Sequence, residues 1–195
     1  MRDAGPATGN ATYLIVSGAA TARRIPALIG QLAPLVPNLM TVLTPNAQHI
    51  VSPRELALVP GHRVVESYFD DAILPRPPRG VLLVAPCSFN TLNKLAGGIA
   101  DNLALSITAE AIGRGTPVLV AISVNDPLWD HPRARQSADV LRQWGVTVLD
   151  PVPDANGYLT MVSNDAIVEQ VLNAVPTNPS PTPPLRGEGP LPPEI

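Results

Sequence analysis

Four short runs, TYLIVS (12–17), LMTVL (39–43), VLLVA (81–85) and PVLVAI (117–122), are apolar almost throughout and partly β-branched. A strand with one wet face alternates apolar and polar residues, so runs without that alternation belong to strands buried on both faces. Between them lie segments of helical spacing. Ile25, Leu28, Ile29, Leu32 and Leu35 recur on one helix face. The spacing predicts a helix over 21–35, with Pro26 early, where a proline costs little. One long helical stretch is expected to contain 92–96 and 102–112, interrupted near Gly97-Gly98, and further helices over 134–144, closed by Gly145, and over 165–175. A short helix should follow Thr44-Pro45-Asn46, and weaker strands fall at 62–66 and 146–149. Strands that alternate with helices and are apolar on both faces require a parallel sheet covered on both sides. The expected fold is α/β: a three-layer, Rossmann-like (flavodoxin-like) parallel sheet with helices on both faces.

Composition narrows the setting. The 195 residues suit one domain, and 45% apolar against 15% charged residues supports a buried core. No apolar run reaches the ~20 residues of a bilayer span. Residues 1–10 lack the basic start and apolar stretch of a secretory leader. The net charge of -3 supplies no basic face for nucleic acid. A single cysteine, Cys87, excludes an internal disulfide and a four-thiolate metal site. The expectation is a cytoplasmic protein without nucleic-acid, membrane or metal partners. Eight of the 24 prolines lie in 176–195, a segment with little to bury. It reads as a disordered tail, or as a ligand for polyproline-binding domains. The folded domain is expected over 11–175, after a flexible 1–10.

In open parallel sheets, ligands bind beyond the carboxyl ends of the strands, near the point where the strand order reverses. Four segments occupy such positions. Ser17-Gly18-Ala19-Ala20-Thr21 joins a strand to a helix with small residues. It suits either a phosphate at free N–H groups or simply a tight turn. The dinucleotide fingerprint and the Walker lysine are both absent, so a mononucleotide fits better than a dinucleotide. Thr44-Pro45-Asn46 offers a hydroxyl to a phosphate or an N-cap to the next helix. The stretch 85–103 is dense in small and polar residues, and a helix capped by Ser88 or Asn90 leaves the double glycine and Asp101-Asn102 unexplained. Ser123-Val124-Asn125-Asp126-Pro127-Leu128-Trp129 places an amide and an indole at a strand end. That suits a carboxylate and a planar ring, or an Asx turn with Trp129 in the core.

Together these segments resemble the flavin-containing cysteine decarboxylase superfamily. PCSFNTLNKLAGGIADNL (86–103) is similar to its P-x-S/T-x-N-T…K-x-A-x-G-I-x-D-N-L signature. VNDPLW (124–129) is similar to its M-N-x-x-M-W motif without the methionines, and SGAA to its phosphate-binding turn. The resemblance implies a flavoprotein that binds FMN non-covalently as a homotrimer or higher homo-oligomer. By the same resemblance Gly18, Ala19 and Thr44 would contact the phosphate, while Ser88, Asn90 and Thr91 would line the flavin. Asn125 would hold a substrate carboxylate. The implied reaction is oxidation of a small thiol or cysteine-containing substrate through FMN, with loss of carbon dioxide to give an enethiol.

The departures concern chemistry. The position of the family's catalytic histidine, counted back from Pro86, is Ala72; His62 lies too early. Asp70 or Asp71 is the speculative substitute as base. The cysteine that coenzyme-A-type members carry in a C-terminal flap has no counterpart, because the sole cysteine lies in the flavin signature. Two expectations therefore stand: a flavin-dependent decarboxylase or oxidoreductase (a lyase), and an FMN-binding protein with a regulatory or carrier role. A flavin prenyltransferase shares the fold but needs a basic site, and Lys94 is the chain's only lysine.

Overall fold

The computed structural model describes residues 10–73 and 80–175. The expectations for the N-terminus up to residue 9 and the tail at 176–195 fall outside them.

The four apolar runs become the strands β1 (Ala11–Val16), β2 (Leu39–Leu43), β4 (Gly80–Cys87) and β5 (Val118–Ile122), and every residue of each is buried. Two short strands, β3 (Arg63–Val64) and β6 (Thr147–Leu149), complete a sheet of order β3-β2-β1-β4-β5-β6. All its pairings are parallel. The chain winds outward from β1 to β3, then returns beside β1 as β4 and winds the other way. The order therefore reverses between β1 and β4, which is where a doubly wound sheet opens a crevice.

Alternate side chains of each strand serve opposite layers. Tyr13, Ile15, Leu82, Val84, Val120 and Ile122 pack against α3 (Phe89–Ala96), α4 (Leu103–Gly113) and α6 (Pro132–Gln143). Leu14, Val16, Leu83, Ala85, Leu119 and Ala121 pack against α1 (Ile25–Leu32) and α7 (Asn164–Ala174). The two clusters form the three layers inferred from the unalternating strands.

The helix boundaries differ from expectation in informative ways. A 3-10 turn over Ala20–Arg24 precedes α1, so Pro26 sits in the first turn of the α-helix itself. The double glycine separates two helices. Gly98 is left-handed at φ 69, with Gly98 N–H on Leu95 O and Ile99 N–H on Lys94 O. Those paired bonds close α3 as a Schellman motif, and Asn102 then caps α4. Between β2 and β3 lie a 3-10 turn, Ala47–His49, and one helical turn, α2 (Pro53–Leu56). A short helix, α5 (Asp126–Asp130), begins within the segment 123–129. A small antiparallel hairpin, β7 (Val152–Pro153) with β8 (Leu159–Thr160), precedes α7. No helix among the described residues is long and apolar enough to cross a membrane.

Candidate functional site

Three strand ends are tied together at the crevice. Ser17, fully buried after β1, donates from both its N–H and its hydroxyl to Pro86 O, at 3.2 and 2.7 Å. Its Oγ also accepts the Ser88 N–H at 2.8 Å. The first residue of the SGAA turn thus fixes where the β4 chain turns into α3. On the other side, Thr44 N–H bonds Val16 O at 2.9 Å, locking β2's end to β1's.

These bonds surround an open cleft. Gly18, Thr44, Ser88, Asn90 and Thr91, five of the six residues expected to meet the cofactor, line it. Ala19, the sixth, is not among its walls. Pro45, Asn46, Lys94, Asp101, Asn102 and Leu105 complete the lining. The sequence signals for these were the Thr44-Pro45-Asn46 turn and the otherwise unexplained GGIADN segment. The pieces read separately along the chain therefore meet at one place.

Several of these groups also hold the local fold. Ser88 is the N-cap of α3, accepting Thr91 N–H at 3.4 Å and donating to Thr91 Oγ1 at 3.1 Å. Thr44 Oγ1 accepts Ala47 N–H at 3.4 Å, although the cap residue of the Ala47–His49 turn is Asn46, whose side chain makes no capping bond. A Cβ on Gly18 would lie 2.7 Å from the Cβ of Asn46. The glycine is required by that neighbour before any ligand is considered. Asn46 and Asn90 are exposed, and their side-chain amides have no partner among the described residues. Lys94 pairs with Asp101, whose second oxygen takes the Asn102 amide at 3.1 Å. The Lys94 hydrogen bond is the main cause holding the Asp101 carboxyl below its ordinary range.

The remaining candidates lie away from this cleft. Asn125, after β5, accepts Leu128 N–H at 3.2 Å through Oδ1 and so caps α5. That leaves its Nδ2 without a partner among the described residues. Trp129 packs on the core and carries Arg135 at 5.1 Å from its ring centroid. Asp70 faces structure rather than solvent chemistry: its Oδ1 accepts Ala72 N–H at 2.8 Å and pairs with Arg63 at 2.6 Å. Asp71 is exposed and lines no part of the cleft. His62 spends both ring nitrogens on Thr41 Oγ1 and Leu56 O, each at 2.8 Å, and pins β3 beside β2. Cys87 is fully buried, and burial pushes its thiol well above the ordinary range.

A doubly wound parallel sheet with a polar cleft at its switch point places the cleft where α/β proteins of this kind bind their ligands. The family model described as Flavoprotein matches residues 5–175, and the chain belongs to that family. Mouse phosphopantothenoylcysteine decarboxylase is 32% identical over 139 residues, 67% of each chain. The coenzyme A biosynthesis bifunctional protein CoaBC of Bacillus subtilis is 29% identical over 153 residues. These span 75% of this chain but 36% of that protein, so the chain covers about a third of that relative. Among solved structures, peptidyl-cysteine decarboxylase EpiD superposes with a TM-score of 0.71 at 23% identity, covering 85% of this chain and all of EpiD. A PPC decarboxylase mutant complexed with pantothenoylaminoethenethiol gives 0.70 at 24%, covering 83% of this chain and 96% of that one. At those identities the likeness concerns the fold.

Proposed function

We propose that this flavoprotein binds FMN in the cleft between β1, β2 and α3 and acts as a flavin-dependent decarboxylase or oxidoreductase on a small thiol or cysteine-containing substrate. The observation that carries this is the meeting of Gly18, Thr44, Ser88, Asn90 and Thr91 in one cleft at the switch point. The donor set fits the group. The walls offer hydroxyls and unpartnered amides, one cation, and one carboxylate already neutralised by that cation. Such a lining offers hydrogen-bond partners to a phosphate and to the polar edge of a flavin.

Gly18 and Thr44 would hold the phosphate, and Ser88, Asn90 and Thr91 the ring, whereas Ala19 lies outside the walls with its N–H on Ser17 O. When bound, oxidised FMN supplies a two-electron acceptor for a cysteine thiol, whose carboxyl group then leaves as carbon dioxide to give an enethiol. Asn125 orients the substrate, its free Nδ2 donating to the carboxylate while Oδ1 keeps α5 capped. The mouse relative is named for decarboxylation of a cysteine conjugate, and one EpiD structure is a complex with a substrate peptide. Both favour a thiol substrate here. A homotrimer or higher assembly belongs to the same proposal, as does a cytoplasmic setting. Phe69 is 85% exposed and Ile99 48% exposed, apolar surface of the kind a subunit contact covers.

One observation favours a second role, FMN binding for regulation or carriage without decarboxylation. The position of the family histidine is Ala72, and Asp70 is held by Arg63 and the Ala72 N–H. The base role expected of Asp70 or Asp71 gains no support from this geometry.

The test begins with the visible spectrum of purified protein and identification of the chromophore released by heat. Stoichiometric FMN is the expected result; a colourless protein that fails to take up added FMN overturns both roles. The holoprotein is then mixed with cysteine-ended peptides without oxygen. Flavin bleaching with carbon dioxide release supports decarboxylation, whereas a stable oxidised flavin leaves the carrier role.

A further inference from the structure

Resting on the proposal that FMN occupies the cleft, we infer that Lys94 is the exchangeable cation that recognises the flavin's phosphate, held in reserve by Asp101 until the phosphate arrives. Three observations carry this. Lys94 is the only cationic side chain among the described residues lining the cleft, and the only lysine of the chain. A phosphate monoester carries close to two negative charges at neutral pH, and burying them beside neutral donors alone is costly. A cation in the same cleft therefore has a clear electrostatic task.

The second observation is that the present partner of Lys94 is weakly held. Its side chain is 27% exposed and that of Asp101 48% exposed. An ion pair screened to that extent contributes little, so exchanging it costs little. The third is that Asp101 loses only one of its partners when Lys94 leaves. The Asn102 amide remains on its other oxygen, and the carboxylate remains in water. The Schellman turn at Gly97-Gly98 is what makes the arrangement possible. It breaks the helix between Lys94 and Asp101, so that residues seven apart meet across the turn. Asp101 thereby balances the cleft's charge in the empty protein and gives up the cation in the loaded one.

Binding of FMN and of riboflavin, which lacks the phosphate, is measured by quenching of flavin fluorescence at low and high salt. Wild type, Lys94→Met, Lys94→Arg, Asp101→Asn and the double variant Lys94→Met/Asp101→Asn are compared, each checked for cooperative thermal unfolding. Lys94→Met should lose about ten- to hundredfold in FMN affinity and leave riboflavin affinity unchanged. Lys94→Arg should retain most of the preference for FMN. Asp101→Asn should raise FMN affinity about two- to fivefold by freeing the cation, and that gain should vanish in the double variant. Equal losses for FMN and riboflavin in Lys94→Met overturn the inference, as does a loss in Asp101→Asn. A wild type that binds neither flavin overturns the FMN proposal itself, and this inference falls with it.

Discussion

The polar groups along the carboxyl edge of the sheet differ in how far the fold has already used them. In the cleft beside β1 and β2, the Asn46 and Asn90 amides are exposed and unpartnered among the described residues, and the one cation has a screened partner. Along the flanks, nearly every group that chemistry could use is committed. His62 has both nitrogens bonded, Asp70 is held by Arg63 and the Ala72 N–H, and His131 Nδ1 accepts the Arg133 N–H to cap α6. The lone thiol is sealed in the core. The two cleft amides are thus presented to solvent, while the candidates for proton transfer and thiol chemistry hold the protein together. Asn125 combines the two conditions within one amide, its Oδ1 capping a helix and its Nδ2 without a partner among the described residues.

That double use makes Asn125 the sharpest place to break the comparison, with the largest expected effect. Asn125→Ser keeps an N-cap of comparable quality and removes the Nδ2 donor. Stability and FMN affinity should stay near wild type, while anaerobic flavin reduction by a cysteine-ended peptide falls about ten- to hundredfold. Asn125→Asp should behave alike, because it preserves the cap and repels a carboxylate. Unaltered reduction kinetics in both variants would reduce Asn125 to a capping residue and assign the whole flank to structure.

Cys87 tests the other side, and its effect is intermediate. Burial raises its thiol, so the folded chain keeps the proton where the unfolded chain releases it from about pH 8.5. The contribution is fully present below that pH and is lost as pH rises, with a slope of up to about 1.4 kcal/mol per pH unit. Burial also raises the Tyr13 phenol, which adds a second slope from about pH 10. Urea unfolding across this range should show Cys87→Ala losing the decline between about pH 8.5 and 10 and keeping the steeper one above it. An identical alkaline decline in the variant would show that the thiol is not sealed in the folded protein.

The boundary between the two regions was only partly legible in the sequence. Strands without alternation gave the covered parallel sheet, because burial on both faces is written in each residue. The binding segments were legible as well, since each lies just past a strand, and doubly wound topology brings strand ends together. The commitments were not. Arg63 and Asp70 meet through a loop whose path no local pattern dictates, and His62 is locked by Thr41 and Leu56 from separate elements. Ser17 was visible only as part of a small-residue turn, although its hydroxyl joins the ends of β1 and β4. The double glycine invites a functional reading only while 92–112 is taken as one interrupted helical run. Its first task is to end α3.

Asp70 supplies the smallest expected effect and the most direct test of the boundary. Its carboxylate does two separable things, accepting the Ala72 N–H and pairing with the half-exposed Arg63. Asp70→Asn keeps an oxygen for the N–H and loses only the charge. An ion pair with so exposed a partner contributes about 1 kcal/mol or less. The variant should therefore unfold within that margin of wild type and reduce its flavin with thiol substrate at the wild-type rate. Asp70→Ala removes the turn bond as well and should cost more stability, again without a specific loss of rate per folded molecule. Asp71→Asn, altering an exposed carboxylate outside the cleft, should change neither property. If Asp70→Asn instead folds normally and loses thiol-dependent flavin reduction, the carboxylate is the missing base. The Arg63 pair would then have to open during turnover, and the division between free binding groups and spent catalytic ones would fail at its best-defined residue.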